Sequence, residues 1–269
     1  MIRFLPLLAL ALAACAADER APQRPDGPTI VSLNPCSDAI LAEVASPEQL
    51  LAISHYSKDP AASSMTPEAA ARFPATGGTV EEVIALQPDV VVASTFLAPA
   101  TRSALEDFGV RVVTVGGIAS VDESLAQVRQ LAALAGNPAA GERLAGEIAG
   151  ALEEAQWDGS PVEAALWQPG GIVPGEASLV SDLLRRTGFA SYAASRGLGQ
   201  AEYLALEQVV ADPPPVLFVA GGEAGQRHPV LGRIDGMHQH AFDTRLLYCG
   251  GPTIIRALRF LSDVRREVS

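Results

Sequence analysis

NPAAGERLAGEIAGALEEAQW, residues 137–157, decides the fold, because it lies between two halves of the chain that resemble each other. Pro138 suits a first helical turn. Ala140, Leu144, Ile148, Leu152 and Ala155 then recur at three- and four-residue steps, which predicts one amphipathic helix. Gly141, Gly146 and Gly150 cost such a helix about 1 kcal/mol each relative to alanine, so packing rather than propensity must hold it. On either side, VEEVIALQPDVVVA (80–93) and LEQVVADPPPVLFV (206–219) align without a gap: Glu81 falls on Glu207, Val83 on Val209 and Pro88 on Pro214. Each stretch reads as a short helix, a proline-marked stop and a buried strand, so one helix–turn–strand unit occurs on each side of the long helix.

Working outward, Thr29 to Leu33 reads as the first strand, Pro35 to Val44 as a helix and Leu50 to Ile53 as a second strand. The polar loop from Ser54 to Pro60 follows at that strand's carboxyl end, the edge where open parallel sheets bind ligands. Pro74 to Thr79 reads as a turn-rich approach to the first repeat, whose strand is Val90 to Ala93. Helices are expected over 99–108 and 121–134, with a strand over 110–115 between them. Beyond Gly159 come a strand at 164–167, a Gly–Pro loop at 169–175, a helix at 179–187 capped by Ser178, and the second repeat. A last strand at 246–248 and a helix from Pro252 to Val268 complete the pattern. The fold class is therefore α/β: two similar lobes, each around a small parallel sheet, joined by one long helix. The expected division is 29–136 for the first lobe, 137–158 for the connecting helix and 159–269 for the second lobe.

Residues 1–14 carry Arg3 and the apolar run Phe4 to Leu12, too short to span a bilayer but suited to a signal-peptide core. Leu12-Ala13-Ala14-Cys15 resembles the bacterial lipobox, which makes Cys15 the lipidated first residue of a periplasmic, membrane-anchored lipoprotein, with 15–28 as a tether. The membrane contact is then through the lipid alone. A net charge of −12 without a Lys/Arg cluster argues against nucleic acid. Cys36 and Cys249 remain: in an exported protein they form a disulfide, stay as two buried thiols, or supply a thiolate to a bound metal.

TIVSLNP, AISHYSKDP, TVEEVIALQPDVVVA, the long helix, the ALEQVVA–PPVLFVAGG unit and RHPVLGRI, in this order from Thr29 to about Arg266, resemble the periplasmic binding proteins of ABC importers for ferric siderophores, haem and cobalamin. The resemblance implies a nearly rigid monomer, no resident cofactor, and a metal chelate held between the lobes for delivery to a permease dimer with its ATPase. Haem or a metal ion is the alternative ligand. It places Asn34, Pro35, Cys36, His55, Tyr56, Thr95, Phe96, Trp167, Gln168, Gly170, Gly171, Gly221, Gly222 and Gly251 in the cleft. Tyr56 stands where cobalamin-binding members also have tyrosine. A tryptophan those members carry is replaced around Ala75-Thr76, and their charged cleft residues before the last helix become Cys249-Gly250-Gly251. Glu81 and Glu207 each begin a short helix, where the dipole favours a carboxylate, and the resemblance implies that they dock on arginines of the permease. Trp167 either stacks on the chelate or fills the core at a strand end. Met237-His238-Gln239-His240 reads as a solvated loop in preference to a soft metal site, since no third ligand stands at fixed spacing. No nucleophile elbow or zinc-protease helix motif is present, which leaves an enzyme, like an envelope scaffold, as a competing class.

Overall fold

The computed structural model describes residues 26–61 and 63–268, so the expected leader, Cys15 and most of the expected tether lie outside the described residues. The first half runs β1 (Ile30–Ser32), α1 (Pro35–Val44), β2 (Leu50–Ser54), α2 (Pro67–Ala71), β3 (Ala75–Thr76), α3 (Val80–Ala85), β4 (Val90–Ser94), α4 (Pro99–Asp107), β5 (Arg111–Val115) and α5 (Val121–Leu134). Next comes the connecting helix α6 (Pro138–Ala155). The second half holds β6 (Val162–Trp167), α7 (Leu179–Arg186), β7 (Phe189–Ser191), α8 (Tyr192–Ser195), α9 (Leu206–Ala211), β8 (Val216–Val219), β9 (His238–Ala241) and α10 (Pro252–Glu267).

Every strand pairing is parallel, in a sheet ordered β3-β2-β1-β4-β5 and a second ordered β7-β6-β8-β9. Parallel neighbours need crossover connections, and helices supply most of them. Such strands are covered on both faces, which is why Val90–Ala93 and Val216–Val219 are apolar throughout and buried. The internal repeat holds in three dimensions: α3–β4 and α9–β8 are the two copies, with β4 beside β1 and β8 beside β6.

Asn137 caps α6, its side chain accepting from the Ala140 amide. Ala140, Leu144, Ile148 and Ala155 of the expected stripe are buried, and Leu152 packs against them half-buried. The stripe enters a core shared by both sheets, in which Ile30 and Val90 of the first lobe and Leu166 and Phe218 of the second belong to one contiguous cluster. Phe218 meets Phe189 and Phe242 edge-on, and Phe260 of α10 at 6.0 Å. Among the described residues no helix is long and apolar enough to cross a membrane.

Three local expectations need correction. His238–Ala241, expected as a solvated loop, is the edge strand β9, in register with β8; its ladder of backbone bonds overrides a polar sequence with no strand propensity. Leu246 to Tyr248 is not a strand: Thr244–Leu246 forms a 3₁₀ turn capped by Asp243, with Leu246 and Leu247 turned into the core. The approach to the first repeat, 74–79, is not only turns, since it contains the two-residue strand β3.

Candidate ligand cleft

In a parallel sheet the helix that follows a strand starts near that strand's carboxyl end, so helix N-termini mark one edge. Four such termini meet between the lobes. Cys36, in the first turn of α1, is bonded to Cys249 just ahead of α10, with Cα atoms 5.0 Å apart. Ser124 Oγ in the first turn of α5 accepts from the Gly251 amide at the start of α10, 2.8 Å. The Val121 amide opening α5 donates to Asp182 Oδ2 in the first turn of α7, 3.0 Å. The carboxyl edges of the two sheets therefore meet around these contacts, and the loops there are the candidate cleft, with the disulfide at its seam.

Four large rings stand exposed on those loops. Tyr56 follows β2 and is 56% exposed, and Phe96 follows β4 and is 93% exposed. Tyr203 is bridged to Ile172, and its ring covers Gly171 in the loop after β6. A Cβ on Gly171 would come within 2.6 Å of that ring, and its φ of +75° favours glycine. Tyr248 adjoins the disulfide, and burial of part of its ring raises its phenol pKa. His55 adds an imidazole 4.0 Å from the Tyr56 ring, centroid to centroid. The arrangement offers broad aromatic faces, phenol oxygens and one imidazole, which suits retention of a flat ligand by stacking.

The supports are polar and specific. Asn34 accepts from the Cys36 amide and caps α1, with Pro35 in the first helical position. Thr95 donates its amide to the Val115 carbonyl, setting the turn that presents Phe96. Gln226 Nε2 donates to the carbonyls of Trp167 and Gln168, and Glu223 accepts from the Gly170 amide at 2.7 Å. That backbone hydrogen bond, foremost, holds the Glu223 carboxyl below its usual range. The loop of Gly221 and Gly222 after β8 thus braces the Gln168–Gly171 loop after β6.

Not every expected residue reaches the cleft surface. Trp167 is 1% exposed and packs with Ala165, Val173, Tyr192 and Leu217, so it fills the core of the second lobe instead of stacking on a ligand. Gln168 and Gly171 are buried beneath the same loop. Gly251 is buried too: its φ is +62° and a Cβ would meet Ile40 at 2.6 Å, while one on Gly250 would meet Ile118 and Ser124 at 2.3 Å. These two glycines let α10 press against the first lobe; they do not line a site. Conversely, Tyr203, Tyr248, Glu223 and Gln226 were not singled out by their sequence context. An exposed tyrosine has no local signal, and the Ile172–Tyr203 bridge that seats one of them is a long-range pairing.

Asp38, wholly buried in α1, fixes the Tyr56 loop: its Oδ2 accepts from the Ser54 amide at 2.9 Å and the Ser57 hydroxyl at 2.6 Å. Burial pushes its pKa from the usual 3.8 up to about 7, opposed by hydrogen bonds from Ser32, Ser57 and Ser54. For an acid raised on folding, the native state keeps a proton that the unfolded chain has released between those values, so stability falls as pH rises from about 4 to about 7 and is level above. Asp38→Asn should remove this component of the slope. Urea midpoints measured from pH 4 to 8 check it; an unchanged slope in the variant would assign the pH dependence to other groups.

Among the described residues no cluster of three or more His, Cys, Asp or Glu side chains is placed to hold a metal ion. His240 contacts Phe218, ring centroids 6.1 Å apart, and lies 4.0 Å from Glu267, with its pKa lowered by burial.

The fold is shared with solved structures of binding proteins. The haem-binding protein RhuT from Roseiflexus sp. RS-1 superposes with a TM-score of 0.69 at 24% identity, covering 90% of this chain and 99% of its own. A haem-binding protein from Pseudomonas aeruginosa gives 0.66 at 20% identity, covering 88% and 92%. The vitamin B12 binding protein BtuF of Vibrio cholerae gives 0.66 at 17% identity, covering 89% and 97%. No curated protein sequence matches. With residues 30–240 matching its model, the chain belongs to the periplasmic binding protein family, and its role is to bind a substrate.

Proposed function

We propose that this chain is the lipid-anchored substrate-binding component of an ABC importer, which captures a flat metal chelate of the tetrapyrrole class, haem or a corrinoid, and passes it to the permease dimer. The observation that carries this reading is the set of exposed rings, Tyr56 and Phe96 from one lobe and Tyr203 and Tyr248 from the other, on the sheet edges that meet there. Similarity of fold to haem- and vitamin B12-binding proteins supports it. Cys15 would carry the lipid.

Glu81 and Glu207 are the proposed docking residues. They are the second residues of α3 and α9, and both are exposed. Their neighbours are occupied: Glu82 accepts from Thr76 and Gly77, and Gln208 accepts from the Ala205 amide, in the reach-back of a capping box. One carboxylate per lobe is thereby left at equivalent sites, which suits a two-fold partner. A second reading, an anionic ferric chelate, is favoured by Arg227, whose guanidinium lies 4.0 Å from where a Cβ on Gly222 would sit.

Titration of the purified protein with haemin, cobinamide, cobalamin and ferric chelates, followed by visible absorbance, separates the two. Removing any one ring should weaken tetrapyrrole binding several-fold, since an aromatic contact is worth about 0.5–1.5 kcal/mol beyond area burial. Glu81→Ala with Glu207→Ala should leave that affinity intact and lower uptake by cells. Retention of none of these ligands, or full affinity with all of the rings removed, would sink the proposal.

A further inference from the structure

Away from the cleft rings, a groove of about 230 Å³ lies between α1, α2 and the start of α10. Ala39, Ala42, Met65, Ala69 and Pro252 give it apolar walls, and Arg256, Ser64, Thr66 and Glu43 supply its polar groups, the Thr66 hydroxyl being taken up as the α2 cap. The Arg256 guanidinium donates to the Ser64 carbonyl, and among the described residues it has no carboxylate within ion-pair distance. Asp243, the acid whose field reaches it, is already held by Arg245 through contacts of 2.7 to 3.0 Å. Burial, with Arg245 nearby, depresses the Arg256 pKa, as expected for a cation lacking a counter-charge. Ser64 is 4% exposed, and its hydroxyl has no hydrogen-bond partner.

A half-buried guanidinium without an anion and a buried hydroxyl without a partner both carry a cost, and one anionic ligand group would satisfy both. We infer that this groove is a second binding site, taking a small monocarboxylate with an apolar body: the carboxylate on Arg256 and the Ser64 hydroxyl, the body against Met65 and the alanines. A cavity of about 150 Å³ holds benzene, so 230 Å³ accommodates about nine non-hydrogen atoms, the size of benzoate or hexanoate. Glu43 also lines the groove and disfavours a ligand with a second negative charge. The site uses none of the cleft rings, so it stands or falls independently of the transport reading.

Isothermal titration of the full chain with benzoate and hexanoate tests it, with benzamide as the uncharged control. The native protein should bind both acids and not the amide. Arg256→Gln should weaken binding at least tenfold. Ala69→Leu fills the groove from α2 while keeping Arg256, and should abolish binding with an unchanged thermal melt. Absence of acid binding by the native protein, equal affinity for benzamide, or undiminished binding by Ala69→Leu would each overturn the assignment.

Discussion

Replacing Cys36 and Cys249 together by serine is expected to lower the unfolding free energy by about 2–5 kcal/mol. The bridge spans 213 residues of sequence, nearly the whole described chain. In the chain-entropy account, closing so long a loop restricts the unfolded ensemble by about 5 kcal/mol, an upper figure because denatured chains retain some structure. The native contacts on either side of the bond persist in the variant: Gly251 still donates to Ser124, and Asp182 still accepts from Val121. The loss should therefore appear chiefly as a shift in the urea midpoint. Native protein treated with a thiol reductant should converge on the variant's curve. Equal midpoints with and without reductant would mean that the bond contributes nothing to stability.

Trp167→Ala should cost about 3–5 kcal/mol, the range for truncating a large aromatic in a packed core. The indole is 1% exposed at the end of β6 and sits among Val173, Tyr192, Leu204 and Val219. Its Nε1 is buried without a hydrogen-bond partner, so Trp167→Phe, which keeps an aromatic ring and deletes the orphan donor, should be milder than alanine. Ligand affinity per folded molecule should stay near the native value in Trp167→Phe. Denaturant curves paired with haemin titration distinguish the roles: a small stability change with a large loss of affinity would return the indole to the cleft.

That tryptophan shows where sequence reading stops. Pro35, Pro138 and Ser178 announced helix starts because cap and first-turn chemistry is local, and the bounds of α1 and α5 match the expected ones. The gapless repeat around 80–93 and 206–219 carried the topology, because buried parallel strands are apolar throughout. By contrast β9, spelled His-Gln-His-Ala, is held as a strand by its neighbour, and nothing within those residues says so. Resemblance singled out Tyr56 and Phe96, which stand exposed after β2 and β4. It could not separate Gly250 and Gly251, which serve close packing, from cleft residues, because both roles leave the same small residue in the sequence.

The core shared through α6 also bears on how the chain folds. Because Ile30 and Phe218, from opposite sheets, belong to one apolar cluster, neither half buries its own surface fully without the other. A lobe cut free at the connecting helix would expose part of that cluster to water, so destabilising either half is expected to destabilise the other. Synthesis of the first half must then precede its full stabilisation, which is complete only once α10, the last helix of the chain, has closed against α1 and α6.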